Sequence, residues 1–85
     1  MLEKFKDQIV LIEKELQDTS SKKMSKERII YLIEQTKEIA KDLDNERDLR
    51  GLFYSRVNSI YEKGDTKYPK MRLNKVIKIM KEEVE

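Results

Sequence analysis

The 85-residue sequence contains no cysteine and no histidine. The first absence excludes a disulfide framework and thiolate chemistry, and the second excludes imidazole as a zinc ligand or acid–base catalyst. Phosphate-cradling glycine loops and calcium-loop spacings are also absent. The Asp and Glu residues alternate with Lys, as solvated ion pairs on helix faces do. We therefore expect a protein that is not an enzyme and binds no cofactor or metal.

Long apolar runs are missing as well. No stretch approaches the ~20 apolar residues that a membrane span requires. The N-terminal segment MLEKFKDQIVLIEKELQD is interrupted by charges throughout, unlike the apolar core of a signal peptide. These two features predict a cytoplasmic chain.

Glycine occurs twice and proline once, whereas 42% of the residues are charged and 38% are hydrophobic. This balance favours helices with one buried stripe each over strands joined by turns. Because so short a chain buries little apolar surface, its elements should be long and regular. The composition therefore predicts a single all-α domain over residues 1–85.

Apolar residues recur at helical spacing in four segments. Ser25 is a natural N-cap for the second helix, and Asp44 or Asn45 for the third. Gly51 falls inside the third helix, where a close helix crossing would explain it. Pro69 fits the first turn of the fourth helix. The predicted helices span residues 2–18, 26–43, 46–62 and 69–84. One longer and two short connections then predict an antiparallel up-down-up-down four-helix bundle.

The same spacing predicts which side chains face the core. The predicted inward residues are Leu2, Phe5, Ile9, Val10, Leu11, Ile12, Leu16, Ile29, Leu32, Ile33, Thr36, Ile39, Ala40, Leu43, Leu49, Leu52, Phe53, Val57, Ile60, Leu73, Val76, Ile77, Met80 and Val84. Tyr31, Tyr54 and Tyr61 adjoin these stripes, and we expect each to place its ring inward and its hydroxyl in water. Glu46 and Asp48 are expected near the start of the third helix, where acidic groups suit its dipole.

Charge is distributed unevenly, although the net charge is only +2. Residues 1–48 carry ten Lys and Arg against twelve Asp and Glu, whereas residues 49–85 carry nine against five. In the predicted fourth helix, cations come early and glutamates late, and both oppose the helix dipole. A helix selected only for stability would show the reverse order. Either packing dominates there, or the cations face a partner.

Two apolar residues, Met71 and Ile79, are predicted to project from the buried stripe on the side of the basic row. The resulting mixed surface would suit a protein or an anionic membrane. The candidate partner-binding residues are Lys63, Lys67, Tyr68, Met71, Arg72, Lys75 and Lys78. One alternative is a helical protein-interaction or self-associating module whose basic face is merely solvated. Another is a nucleic-acid-binding regulator, although the small net charge and acid-rich first half speak against nucleic acid.

The segment from Leu52 to Met80, LFYSRVNSIYEKGDTKYPKMRLNKVIKIM, resembles the C-terminal helical hairpin of the enterocin A immunity family. These proteins protect bacteria from their own pediocin-like (class IIa) bacteriocins. The family pattern places aromatic-x-[Lys/Arg]-[Val/Ile] in the third helix and a basic-aromatic-[Thr/Ser/Pro] step before an amphipathic fourth helix. The matching residues are Tyr54, Arg56, Val57, Lys67, Tyr68, Pro69, Asn74, Lys75, Val76 and Ile77. The first two helices match only in length, stripe and the character of the mid-chain segment IEQTKEIAKDLDNE.

The resemblance implies a cytoplasmic protein, in part peripherally membrane-associated, that performs no catalytic step. The implied partner is the membrane sugar-transporter receptor of the mannose phosphotransferase system with the bacteriocin bound, and the implied effect is to block the lethal pore. The chain is expected to be a monomer or a weak dimer. Many relatives continue past the fourth helix, whereas this chain ends at Glu85. Either specificity rests on the hairpin between the third and fourth helices, or this is a short relative whose protective role needs its own test.

Overall fold

The computed structural model describes residues 2–18, 24–63 and 69–85. Within these ranges the chain forms four α-helices and no strand, so the all-α prediction is confirmed. The helices are α1 Glu3–Asp18, α2 Lys26–Arg47, α3 Leu52–Glu62 and α4 Pro69–Val84. None of them is long and apolar enough to cross a membrane.

All four helices contribute to one cluster of buried apolar side chains. The amphipathic spacing explains this, because residues three and four apart share one face of a helix. Helix α4 contacts each of the other three, whereas α1 and α3 do not touch within the described residues. The largest fully buried side chains are Phe5, Ile9, Thr36, Leu43, Val57, Leu73, Val76 and Met80. Helices α2 and α4 therefore each contact all three of the other helices.

Four residues differ in burial from the sequence prediction. Val10, Leu11 and Leu52 were predicted to face inward but are exposed. The first two lie beyond the face that α1 buries, and Leu52 is the first residue of α3, where the chain leaves a turn. Ile79 was predicted to face outward but is only 6% exposed. The packing of α4 against three helices covers more of its circumference than its stripe alone indicates.

The connection between α2 and α3 differs most from the sequence prediction. Helix α2 continues to Arg47, and α3 begins only at Leu52, so residues 48–51 form the turn. Gly51 is the N-cap of α3, with φ +81°, and not an interior helix residue. Glycine adopts such a positive φ without steric cost, which explains its presence better than a helix crossing does. Asp48 and Arg50 also have positive φ values, of 54° and 56°.

Asp44 and Asn45 were the predicted N-caps of α3, but both lie inside α2 and the N-cap is Gly51. Asp44 nevertheless binds the start of α3 through its side chain. Its buried carboxylate accepts hydrogen bonds from the amides of Phe53 (Oδ1, 3.0 Å) and Tyr54 (Oδ2, 2.6 Å). The amide of Leu52 donates a hydrogen bond to the carbonyl oxygen of Leu49 at 3.0 Å. The first amides of a helix have no partner within that helix, and here three of them are satisfied from the preceding residues. Glu46 lies in the last turn of α2 and Asp48 at its C-cap, not at the start of α3.

Two predicted helix starts are confirmed. Ser25 accepts a hydrogen bond from the amide of Arg28 at 3.2 Å, which is the expected N-cap contact for α2. Pro69 is the first residue of α4, where its missing amide hydrogen has no cost. Met24, which the periodicity did not select, is buried just before α2 and belongs to the core.

Candidate partner-binding groove between α3 and α4

A groove of about 600 Å³ lies between α3 and α4. Ile79 is buried and Ile60 half-buried, so these two side chains form an apolar floor, while Met71 is 66% exposed and stands at the edge. Within the described part of the chain, the lining includes four basic residues and no acidic one. The lining residues are Arg56, Ser59, Ile60, Lys63, Met71, Arg72, Lys75 and Ile79. We call this feature the α3/α4 groove.

Helical spacing brings these residues together from two short segments. Those from α3 and its C-cap occupy positions 56, 59, 60 and 63, and those from α4 occupy positions 71, 72, 75 and 79. Steps of three and four residues keep side chains on one face of a helix. Each wall of the groove is therefore one face of one helix, held by the core behind it.

Arg72 connects the two walls. Its Nη1 atom donates hydrogen bonds to the carbonyl oxygen of Ile60, at 2.6 Å, and to that of Lys63. The last carbonyls of a helix lack partners within the helix and carry the negative end of its dipole, so a guanidinium is well suited to them. Arg72 was predicted to lie on the outer side of α4 and to bind a partner. Its side chain is half-buried and caps the end of α3 rather than lying on the outer side of α4, and its partner binding stays a prediction.

The predicted site residues do not all converge. Lys63, Met71, Arg72 and Lys75 line the α3/α4 groove, whereas Lys78 lies apart from it. Lys78 borders a smaller groove of about 210 Å³ together with Glu13 of α1. The two remaining predicted residues, Lys67 and Tyr68, lie outside the described residues.

Three groove residues were not assigned to the site from the sequence, and a fourth was misplaced. Arg56, Ser59 and Ile60 come from α3, where attention to the buried stripe concealed a second face at positions 56, 59 and 60. Their i, i+3, i+4 spacing was a signal that could have identified that face. The fourth, Ile79, was noticed as part of the surface but is a buried part of the floor. The groove thus uses both predicted and overlooked residues.

Some basic residues outside the groove pair with carboxylates, and others, such as Lys14 and Lys26, do not within the described residues. Arg28 pairs with Glu15 (Nε to Oε2, 2.6 Å) and Lys81 with Glu13 (3.0 Å), each joining two helices. The hydrogen bond from Arg28 lowers the pKa of Glu15. A third pair joins Arg47 to Glu83 at 3.7 Å. By contrast, within the described residues Arg56, Lys63 and Lys75 have no carboxylate within 4.0 Å.

Tyr61, next to the floor residue Ile60, joins α3 to α2. Its hydroxyl lies 2.6 Å from Oγ1 of Thr36. Thr36 gives its own hydrogen to the carbonyl of Ile33 at 2.7 Å, so Tyr61 is the donor in this pair. Burial raises the pKa of Tyr61 to about 12. The predicted solvent-exposed hydroxyl is therefore wrong for Tyr61.

The other two tyrosines are closer to the prediction. Tyr31 is exposed on α2 and has the guanidinium of Arg28 4.5 Å from its ring centroid. Tyr54 is half-buried on α3, with Nζ of Lys41 5.5 Å from its ring centroid. Both rings thus carry a cation on their exposed face.

The lining of the α3/α4 groove combines Lys and Arg side chains with apolar ones. Within the described residues, no group of three or more acidic side chains could hold a metal ion. Fold and groove together define an all-helical protein with a basic, apolar-floored groove. No family model, curated protein or solved structure matches the chain.

Proposed function

We propose that this chain is a bacteriocin immunity protein that protects a producing cell from a pediocin-like bacteriocin. It would act from the cytoplasm, associating with the bacteriocin-engaged sugar-transporter receptor in the membrane. The observation that carries the proposal is the α3/α4 groove, because it is built from the same segment, residues 52–80, that resembles the immunity-protein hairpin. Within the described residues, Arg56, Lys63 and Lys75 have no carboxylate within 4.0 Å. Such cations beside an apolar floor are features of a surface that binds another molecule.

The proposal includes an up-down-up-down order of the four helices. It is supported by contacts that pair the end of one helix with the start of the next. Glu15 near the end of α1 contacts Arg28 near the start of α2, and Asp44 near the end of α2 contacts the start of α3. Arg72 near the start of α4 contacts the end of α3. Such pairs are expected when consecutive helices run in opposite directions.

The proposed recognition surface is the α3/α4 groove together with the connection that follows α3. Lys63, Met71 and Lys75 remain in it, and Arg56 is added. Lys67 and Tyr68 stay in the proposal because they belong to that connection in the sequence. Arg72 acts by holding the groove in shape, which lowers the entropy lost when a partner binds. The uncompensated cations would steer an anionic partner toward the groove.

A protection assay tests this function. The chain is expressed in a sensitive strain, which is then challenged with a panel of pediocin-like peptides beside an empty-vector control. We expect survival against one or a few peptides. The double variant Arg56→Glu/Lys75→Glu should lose protection, because it reverses two groove charges without touching Arg72.

The matched control is Lys14→Glu/Lys26→Glu, which changes the net charge equally on exposed residues of α1 and α2. Circular dichroism and soluble yield verify that both variants fold. Uniform killing of cells that contain soluble protein contradicts the immunity function. Full protection by the groove variant contradicts the assignment of the surface.

A second candidate function is a self-associating helical module, which one observation favours. Leu11 and Tyr31 are exposed and border a groove of about 250 Å³ between α1 and α2, with Ile12 and Leu32 behind them. Exposed apolar residues at such a place are typical of helix–helix interfaces. Sedimentation equilibrium distinguishes the two functions. A dimer that Leu11→Glu converts to a monomer supports self-association, and a monomer at all concentrations argues against it.

A further inference from the structure

The shape of the α3/α4 groove limits what can occupy it. Its apolar floor is recessed, since Ile79 is buried and Ile60 half-buried, and only Met71 protrudes. Protruding side chains contact a lipid surface. A recessed apolar floor is instead contacted by a partner's side chain that enters the groove. At about 600 Å³, the groove has the size of sites that bury ligands, which range from ~300 to ~1,000 Å³.

The charges of the groove select the chemistry of that partner. Arg56 stands on the α3 wall and Lys75 on the α4 wall, and among the described residues no acidic one lines the site. Carboxylates on either side of an inserted apolar side chain would meet one cation on each wall. Arg56 adds specificity, because a guanidinium binds a carboxylate through two parallel hydrogen bonds. A nucleic acid would supply phosphates but no apolar side chain for the floor.

We propose that the α3/α4 groove binds an acidic peptide segment with one apolar side chain seated on Ile60 and Ile79 and with carboxylates paired to Arg56 and Lys75. This inference rests on the proposed function only in taking the groove as the partner-binding surface. It deepens that function by naming the partner's contact as a protein segment rather than a lipid headgroup. The receptor or toxin would thus be recognised through an exposed acidic loop or helix.

Selection from a random 12-residue peptide library displayed on phage tests the inference. The purified full chain serves as bait, and binders to the Arg56→Glu/Lys75→Glu variant are removed first. Enriched sequences should combine Asp or Glu residues with a central aliphatic or aromatic residue. Fluorescence anisotropy on the synthetic peptides then measures their affinity for the chain and its variants.

We expect the groove variant to weaken peptide binding by about tenfold or more, because reversal of paired charges costs upwards of ~1.4 kcal/mol. The Lys14→Glu/Lys26→Glu control should bind as the unaltered chain does. A peptide with its Asp and Glu replaced by Lys should bind the groove variant better than it binds the unaltered chain. That exchange of preference depends on direct charge pairing, so a folding defect does not produce it.

Several results overturn the inference. They are a library without groove-dependent binders, enriched peptides without acidic residues, and affinity that survives the charge reversal. Phosphatidylglycerol vesicles that co-sediment with the chain but not with the groove variant, in the absence of peptide binders, would assign the groove to lipid. Single-stranded DNA that binds in place of peptides would assign it to nucleic acid.

The binding and protection assays separate the two proposals. Groove-dependent protection without acidic peptide binders leaves the immunity function in place and removes the inference about its partner. Acidic peptides that bind the groove, with no protection against any bacteriocin, would support the inference about the partner and contradict the immunity function. The second result would describe a peptide-binding helical module of another function.

Discussion

Asp44 is a buried carboxylate whose two oxygens are both used. Oδ1 and Oδ2 accept one amide hydrogen each, from Phe53 and Tyr54, and these amides belong to the positive end of α3. A hydrogen-bonded anion at a helix N-terminus is favoured both by the helix dipole and by charge assistance. The backbone carbonyl of the same residue also accepts the amide of Leu49 at 2.9 Å. One residue thus ends α2 and starts α3.

We expect Asp44→Ala to lower the free energy of unfolding by about 2–3 kcal/mol, because two amides lose their acceptor. Asp44→Asn should cost less, since one oxygen remains to accept a hydrogen bond. Urea denaturation followed by circular dichroism measures both changes. The control is Asp42→Ala, an exposed acidic residue of the same helix. Equal stabilities of the Asp42 and Asp44 variants would contradict the capping role.

Tyr61 provides a second prediction at the residue scale, and this one depends on pH. The pKa of its hydroxyl is raised to about 12 in the folded chain by burial, against about 10 in an unfolded one. The folded state therefore holds this proton more tightly than the unfolded state does. The contribution of protonated Tyr61 to the free energy of unfolding is fully present below about pH 10 and is lost as the pH rises through about 12.

The variant Tyr61→Phe isolates this effect. At neutral pH it should be about 1 kcal/mol less stable, because the hydrogen bond to Thr36 is missing. Above pH 10 the difference from the unaltered chain should shrink, since the unaltered chain loses stability that the variant never had. Denaturation curves from pH 7 to 12 measure the difference, and lysine titration is common to both proteins. A difference that is constant with pH, or that Tyr31→Phe reproduces, would refute the role of burial.

At the scale of the element, α3 is the short wall of the groove. It has 11 residues, and an isolated helix of that length is marginal in water. Both of its ends are held by other helices, the start by Asp44 of α2 and the end by Arg72 of α4. The geometry of the groove therefore depends on one contact within its lining, from Arg72, and on one outside it, from Asp44.

Removal of Arg72 should release the end of α3. We expect Arg72→Ala to cost about 1.5–3 kcal/mol, the range for hydrogen bonds to charged groups. Amide hydrogen exchange should accelerate in the last turn of α3, and more than it does in α2. Lys75→Ala, on the same helix and in the same groove, is the control and should leave stability nearly unchanged. If exchange in α3 is no faster in the Arg72 variant, the capping role of Arg72 is wrong.

For the whole molecule, the core outweighs the surface ion pairs. The pairs Arg28–Glu15, Lys81–Glu13 and Arg47–Glu83 join separate helices but are partly exposed, and such pairs contribute about 0–1 kcal/mol each. The apolar cluster unites all four helices, and each large buried side chain contributes more than any one of these pairs. Stability should therefore respond strongly to core substitutions and weakly to salt.

Two methionines of α4 test this difference. Met80 is 0% exposed and Met71 is 66% exposed. Met80→Ala should destabilise the chain by about 2–5 kcal/mol through lost contacts and a residual cavity, whereas Met71→Ala should stay within about 0.5 kcal/mol. Thermal and urea denaturation measure both changes. Similar losses at the two positions would contradict the observed packing of α4.

The sequence alone determined the helical class, the start of α2, both ends of α4 and most of the buried stripes. Apolar periodicity and capping act over three or four residues, so they are visible in a single chain. The same reasoning identified a basic surface around Lys63, Met71 and Lys75. These features follow from local stereochemistry and needed no knowledge of neighbouring helices.

The tertiary structure alone decided the α2/α3 turn, the direction of Arg72, the burial of Ile79 and the inclusion of Arg56 in the groove. Each depends on which helix lies beside which. The carboxylate of Asp44, inside α2, binds the first amides of α3. Arg72 faces the protein because unpaired carbonyls at the end of α3 lie within its reach. Contacts between residues that are distant in sequence leave no periodic signal. The residues that make up the candidate site therefore follow only from how the helices pack.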